Sequence, residues 1–504
     1  MKEGLDRSFA YLVGAGPGDV GLLTLRGKEV LSQADVIIYD SLVNEQIIDF
    51  APEQAERIHV GKRAGQHSYT QEEINHLLIE KLSENKRVVR LKGGDPFTFA
   101  RGGEEIEVID EAGFFYEVVP GVTSGIAVPA YAGVPLTHRE CSSNVTFVTG
   151  HSQGDDWSRV NWKALAEAGG TLVIFMGVRK LDTIVNELVS AGVARDEPAI
   201  LIQWGTTNEQ RSVHGALAQL PDLVEKQGLG APAIVVIGPT VNLREKLHWF
   251  EQRPLFGKRI ALTRTRNQSR ELRALFRSQG ATVLEIPSIQ IENIKVEEWE
   301  LPDLKDIDWL VYTSSNGVSA FFEAFLSRHD LRDLKGIQIA CVGPSTLAAL
   351  EKYHLPCDFM PTSYRAKSLA EQWPHSQQKQ KVLFVCGNQA SRSVEEGLSQ
   401  QGISVQRLEV YRTIEEIDFN DKDCQRLTEE GADWVVFCSP SAVRSFMEHR
   451  DQWPWTGMRV ASIGPATSES LAAAGVKVDA EPQQSRLTDL VQEVVHQTKN
   501  KRRE

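Results

Sequence analysis

The chain has 504 residues, too long for one ordinary domain and enough for about three or four compact units. Its hydrophobic share of 41% and charged share of 24% are those of a globular chain, and no run approaches the ~18 to 20 apolar residues that span a bilayer. The net charge of −13, from 55 Lys and Arg against 68 Asp and Glu, argues against a nucleic-acid partner, yet leaves room for a small anion held by helix N-termini and a few arginines.

The N-terminus, MKEGLDRSFAYLVGAG, enters a strand-like stretch without an apolar signal region or a small-residue cleavage site, so a cytoplasmic location is expected. From there short β-rich runs alternate with helical stretches. In chain order they are AYLVGAG, ADVIIYD, RVVRLKGG, NVTFVTG, TLVIFMG and AIVVIG, then KRIALTR, DWLVYTS, IQIACVG, KVLFVCG, DWVVFCS and MRVASIG. Nearly all end in Gly, Ser, Thr or Asp, the pattern of an α/β chain whose strand C-terminal ends carry the functional loops. A seam lies near residues 244–257, where a charged helical end is followed by Pro254 and Gly257; it divides the chain into residues 1–250 and 254–504. Beyond it the sequence repeats. Residues 308–322 resemble 433–447, residues 339–350 resemble 460–471, and Pro361 and Leu369 stay in step with Pro482 and Leu490. Two similar α/β lobes with a cleft between them are the expectation.

In the first half, Val13-Gly-Ala-Gly-Pro-Gly-Asp19 follows a strand and precedes a helical stretch, and Asp40 ends the next strand. This resembles a dinucleotide fingerprint, but Asp19 stands where the third glycine belongs and Pro17 removes an N–H donor. A ligand loop of another kind and a plain tight turn both remain open. Arg90-Leu-Lys-Gly-Gly-Asp-Pro-Phe97 is a second strand end, whose paired glycines let backbone approach a ligand and whose Asp95 offers an acceptor. Arg101-Gly-Gly-Glu-Glu105, Pro120-Gly-Val-Thr-Ser124 and Gly133-Val-Pro-Leu-Thr-His-Arg139 follow. Several such loops in one unit point to a ligand cleft.

In the second half the loops are Thr313–Gly317, Gly343–Thr346, Cys386–Gln389, Ser439–Ser441 and Gly464–Thr467. Each is expected to cap a helix, and together their free N–H groups form an anion-binding bowl that needs no basic surface. By residue type alone, Arg264, Arg365 and Arg392 are carboxylate partners or solvated arginines. The six cysteines form no CxxC pair and the twelve histidines no HxxxH pair, so neither disulfides nor a metal are expected.

VGAGPGD, VIIYDSLV, GKR at 61–63, VVRLKGGDPF, RGGEE, VPGVTSG, GVPLTHR, TGH at 149–151 and TLVIFMG together resemble the tetrapyrrole methylases, in particular the uroporphyrinogen-III methyltransferases, over roughly residues 8–243. Ala100 departs from the glycine usual there. The resemblance implies a non-Rossmann α/β methyltransferase of two lobes, commonly a homodimer, that binds S-adenosylmethionine and needs no metal. By matching motif, Pro17, Gly93, Gly94, Asp95, Thr98, Thr123, Ser124, Met176 and Gly205 are the implied cofactor contacts, and Asp40 and Lys62 the implied proton-handling residues. GKRIALTRTR, VYTSSNGV, VGPSTLAAL, the tyrosine of LEVYRT and VVFCSPSAV resemble the uroporphyrinogen-III synthases over about residues 256–494. That resemblance implies cofactor-free closure of hydroxymethylbilane with its last pyrrole inverted, Tyr411 helping the hydroxyl leave, and one lobe built from residues near 257–288 plus those after about 414. The two activities are consecutive, the second half making what the first half methylates to precorrin-2, on the route to sirohaem and cobalamin-type cofactors.

Overall fold

Each of the apolar runs forms a strand, and further strands between them complete four sheets. The computed structural model describes residues 8–52, 54–61, 69–150, 160–264, 266–287, 290–364, 366–374, 380–414 and 417–500. Lys62 and Arg365 lie outside the described residues. The chain divides into two compact units, Met1–Lys258 with Arg277–Thr282, and Arg259–Phe276 with Val283–Glu504.

In the first unit, β1 (Phe9–Gly14), β2 (Val36–Tyr39), β3 (Glu56–His59), β4 (Arg87–Lys92) and β5 (Phe115–Val119) form a parallel sheet in the order β3-β2-β4-β1-β5. Helices cover both faces, so the inner strands read as continuous apolar runs: Val36, Ile37, Ile38, Val88 and Val89 are fully buried. The helices start on conventional caps. Thr24 accepts from Gly27 N, and Thr70 with Glu73 forms a reciprocal capping box.

The second sheet of this unit contains β6 (Val145–Thr149), β7 (Thr171–Phe175), β8 (Pro198–Gln203), β9 (Arg211–Ala216) and β10 (Ala233–Ile237), in the order β6-β7-β10-β8-β9. Only β6 and β7 run parallel; the other pairs are antiparallel. Helix Ser124–Tyr131 leaves the end of β5 and lies on this sheet. Two glycines permit that approach. A Cβ on Gly125 would stand 2.4 Å from Phe175 Cζ, and one on Gly205 would stand 2.3 Å from Val128 Cγ1.

The second unit bears out the repeat. β11 (Arg259–Leu262), β12 (Thr282–Glu285), β18 (Trp434–Phe437) and β19 (Arg459–Ser462) make one sheet in the order β12-β11-β18-β19. β13 (Gln290–Asn293), β14 (Trp309–Tyr312), β15 (Gln338–Cys341), β16 (Lys381–Gly387) and β17 (Ser404–Ile414) make the other, in the order β13-β17-β16-β14-β15. The repeated stretches occupy corresponding places down to single hydrogen bonds. Asp308 accepts from Lys381 N at 2.7 Å, as Asp433 does from Arg259 N at 2.9 Å. Asp358 accepts from Ile339 N at 2.7 Å, as Asp479 does from Val460 N at 2.9 Å. Each carboxylate staples the start of one strand to a neighbour that has no local reason to lie there. Leu369 and Leu490, in step in the sequence, are both fully buried. Among the described residues, no helix is long and apolar enough to cross a membrane.

Candidate functional site

Because β2, β4, β1 and β5 are consecutive in their sheet, the loops at their C-terminal ends stand in a row. They carry Asp40, Gly93-Gly94-Asp95, Gly14 to Asp19, and Gly121 to Thr123. The row is made of backbone. A Cβ on Gly121 would stand 2.2 Å from Gly94 O, and one on Gly14 would stand 2.5 Å from Gly121 Cα. Gly16 and Gly94 exchange N–H···O bonds of 3.1 and 2.7 Å, and both have positive φ, which only glycine adopts without strain.

Asp95 ties the row together. Its Oδ1 accepts from Phe97 N at 3.0 Å and from the Thr98 hydroxyl at 2.9 Å, and its Oδ2 accepts from Gly121 N at 3.2 Å. Both oxygens thus shape the loops. The N-terminus of helix Ser124–Tyr131 arrives beside Gly94, where a Cβ would be 3.7 Å from Ser124 N. Thr123 takes the cap position but forms no side-chain cap bond, so its hydroxyl is not spent on the helix.

The Pro17 loop reaches the second sheet of the unit. Asp19 N donates to Thr206 Oγ1 at 3.2 Å, and a Cβ on Gly18 would stand 2.9 Å from Thr207 Cγ2. Gly18, next to Pro17, is a neighbour of Gly205, whose O would stand 3.6 Å from a Cβ there. The Asp19 carboxylate accepts from Gly21 N at 2.8 Å and from the Tyr131 hydroxyl at 2.9 Å. It occupies the helix entrance that a dinucleotide pyrophosphate needs, which explains why the fingerprint is broken at this residue. Met176 follows β7 with φ of 54° and is 51% exposed; Phe175 before it meets the Phe99 ring at 4.9 Å.

Asp40 rests on charges that sequence reading missed. Arg90 Nη2 donates to Asp40 Oδ1 at 2.6 Å, and Arg90 Nε and Lys92 Nζ reach Glu105 Oε1 at 3.2 and 2.8 Å. Arg90, Lys92 and Glu105 are all buried, whereas the Asp40 side chain is 30% exposed. Burial, then the charge of Arg90, pulls the Lys92 ammonium below its ordinary value. Asp40 is the exposed end of a buried four-charge network. The signal was present in R-V-V-R-L-K, where Arg90 and Lys92, two apart in a strand, share one face. Lys62 is outside the described residues, but its neighbour Gly61 abuts Ser41, beside Asp40.

In the second unit, Tyr411 lies near the end of β17, opposite Gly387 of β16 and Asn293 of β13. Its hydroxyl is 3.1 Å from Ser314 Oγ, which caps helix Ser315–Phe325 by accepting from Gly317 N. The ring lies on Gly387, where a Cβ would be 2.4 Å from Tyr411 Cζ. Burial pushes the phenol above its ordinary value. The expected capping loops are only partly of one kind. Ser314 and Ser439 cap through their hydroxyls, while Gly343 and Gly464 are cap residues without side chains. Asn388 instead accepts from Thr413 N at 2.9 Å, so its loop is tied to β17 and caps no helix. Arg392 is exposed at the start of helix Ser393–Ser399, and Arg264 is half-buried near Cys438. No group of His, Cys, Asp or Glu suited to a metal occurs among the described residues.

Residues 10–221 match the family described as Tetrapyrrole (Corrin/Porphyrin) Methylases, and residues 270–492 match Uroporphyrinogen-III synthase HemD. The chain is 36% identical to the porphyrin biosynthesis protein HemD of Ruminiclostridium josui, over 92% of this chain and 94% of that one. It is 40% identical to a uroporphyrinogen-III C-methyltransferase of Bacillus subtilis (strain 168), over 70% of this chain and 72% of that one. Among solved structures it is similar to uroporphyrin-III C-methyl transferase from Thermus thermophilus complexed with S-adenyl homocysteine. That match has a TM-score of 0.40 and 38% identity, and covers 46% of this chain and 99% of that one.

Proposed function

The chain belongs to the family that joins a tetrapyrrole (corrin/porphyrin) methylase to a uroporphyrinogen-III synthase, and from that premise we propose how its two halves divide the work. It is a bifunctional enzyme of tetrapyrrole synthesis. Residues 254–504 close hydroxymethylbilane to uroporphyrinogen III, and residues 1–250 transfer two methyl groups to that product, giving precorrin-2.

The observation that carries the first assignment is the backbone row formed by Gly14, Gly94 and Gly121, in which a Cβ on Gly14 or Gly121 would strike neighbouring backbone and Gly94 holds a positive φ. Such a row suits a nucleoside, because main-chain N–H and C=O groups can reach it without side chains intervening. S-adenosylmethionine, when bound, supplies an electrophilic methyl group on a sulfonium. Pro17, Gly93, Gly94, Thr123, Ser124, Met176 and Gly205 would hold it, with Asp95 and Thr98 setting the loop that bears the glycines. Asp40 then takes the proton whose loss relieves the cationic character that methylation leaves on the pyrrole ring, and Arg90 fixes the carboxylate in place. Lys62 is assigned to a substrate carboxylate or to proton donation. Positioning does most of the catalysis, since a pyrrole carbon is already nucleophilic. The first half is expected to pair as a homodimer.

For the second half, the Tyr411 phenol is protonated at neutral pH like any phenol, and burial raises it further, so it can donate to the departing hydroxyl. Ser314 orients it. Each assignment is tested separately on the full chain. Methyl transfer from labelled S-adenosylmethionine to supplied uroporphyrinogen III tests the first, and the isomer ratio formed from hydroxymethylbilane tests the second. No label in the tetrapyrrole, or a type I product only, would reject the corresponding half of the reading.

A further inference from the structure

Two cysteines stand apart from the proposed chemistry. Cys341 ends β15 and is buried; Cys357 is half-buried in the segment that runs beside β15 through the parallel bridge of Ala340 and Phe359. Their sulfurs are 3.3 Å apart. The backbone fixes this meeting: Cys341 N donates to Phe359 O at 3.0 Å and Asp358 N donates to Ile339 O at 2.8 Å.

The repeat provides a comparison inside the same chain. Ser462 takes the place of Cys341 and Val478 the place of Cys357, on the same scaffold. Ser462 N donates to Ala480 O at 2.9 Å, Asp479 N donates to Val460 O at 2.8 Å, and Ala461 bridges Ala480. The Ser462 hydroxyl reaches Gly464 O, as Cys341 Sγ faces Gly343 O. The fold therefore forms without sulfur at either place, and the thiol pair belongs to one copy alone.

We propose that Cys341 and Cys357 are a redox-active dithiol, converted to an intramolecular disulfide by two-electron oxidants such as hydrogen peroxide or glutathione disulfide. The Cys357 thiol donates to Cys341 Sγ at 3.3 Å and lies 3.0 Å from Phe359 O; the contact with Cys341 draws Cys357 down to about 7, and the same contact with burial pushes Cys341 up. Burial holds Cys386 at about 12 and Cys438 at about 11. Cys357, half-buried where Cys341 is buried, is the thiol an oxidant reaches and so the attacking one, and Cys341 is the resolving thiol. With peroxide, the Cys357 sulfur attacks one oxygen, the O–O bond breaks, and hydroxide leaves to be protonated to water. Cys341 then attacks the resulting sulfenic sulfur, and its proton departs with the hydroxyl as a second water. With glutathione disulfide, Cys357 displaces one glutathione thiolate and Cys341 the other. The new bond ties together the two ends of the segment holding Gly343 and helix Pro344–Glu351.

The test uses the full chain, reduced and then exposed in separate arms to stoichiometric hydrogen peroxide or glutathione disulfide. Remaining thiols are blocked with N-ethylmaleimide and peptides mapped without reduction. The expected result in both arms is a linked pair of peptides carrying Cys341 and Cys357, released by dithiothreitol. The link is absent from Cys357→Val and Cys341→Ser, which install the residues of the twin lobe. In the reduced chain at pH 7, Cys357 is expected to alkylate about tenfold or more faster than Cys386 or Cys438. A map with both cysteines unlinked, or with Cys357 carrying only a glutathione adduct or sulfinic acid, overturns the proposal. The wild-type map is read directly, so this outcome does not depend on the variants folding.

Discussion

Asp40 is joined to Arg90 at one oxygen and its side chain is 30% exposed, the arrangement of a base held still while it meets a substrate. Asp40→Asn keeps the shape and removes the basic oxygen. Turnover of supplied uroporphyrinogen III is expected to fall about a hundredfold or more, with binding of S-adenosylmethionine retained in calorimetry. Equal loss of both would make Asp40 a binding residue. Arg90→Ala is a different lesion, because it leaves Glu105 with one cation in a dry site. Breaking a buried pair of this kind typically costs about 3 to 5 kcal/mol, read as a lower denaturation midpoint of the first half. In the second unit, Tyr411→Phe removes one hydrogen bond to a leaving group, about 2 to 4 kcal/mol, or roughly thirty- to a thousandfold in rate. Free bilane then closes without inversion, so type I isomer is expected to accumulate while methylation of supplied uroporphyrinogen III is unchanged. Wild-type rate and isomer ratio would leave Tyr411 a packing residue. The pH dependence follows from the sign of its shift. A phenol raised by burial loses its proton only above the ordinary value of about 10, so no loss of synthase activity through this group is expected between pH 7 and 9.

At the scale of elements, the strands that the sequence announces are those covered on both faces, such as β2, β4, β14 and β18, where burial demands an unbroken apolar run. The strands it conceals are mostly at sheet edges. β3 (ERIH) and β13 (QIEN) have too little buried surface to leave a hydrophobic pattern, and β17 alternates polar and apolar residues because only one side faces a core. β8 is interior and apolar, but opens on Pro198, which reads as a turn. The site was legible where it is made of glycine and illegible where it is made of buried charge. Gly93 and Gly94 stand out in a sequence, whereas the partners of Arg90 lie just after β2 and in helix Gly102–Glu111, a pairing that only the sheet order creates. The same logic singles out Gly387. Gly387→Ala would drive a methyl into the Tyr411 ring and is expected to reproduce the isomer defect of Tyr411→Phe in the same assay. A normal type III product from Gly387→Ala would detach Tyr411 from the chemistry.

For the molecule as a whole, the seam is the testable feature. Trp249 and Phe250 pack on Tyr131 with ring separations of 5.2 and 4.7 Å, and the compact first unit runs on to Lys258. Leu255 N donates to Gln279 O and Thr282 N donates to Lys258 O, so residues after Arg253 are held by the segment that follows the next helix. A cut between residues 250 and 254 severs the bonds of Glu251 to Gln210 and Ser212 and of Arg253 to Asn208, and separate chains 1–250 and 254–504 are still each expected to be active on their own substrates. A folded first fragment with no methyl transfer would contradict that division. The central claim, that one chain performs two consecutive steps, is tested most directly by incubating the full protein with hydroxymethylbilane, with and without S-adenosylmethionine, and identifying the tetrapyrroles. Uroporphyrinogen III without the methyl donor and precorrin-2 with it is the expected result; type I isomer alone in the first case, or an unmethylated product in the second, would contradict it.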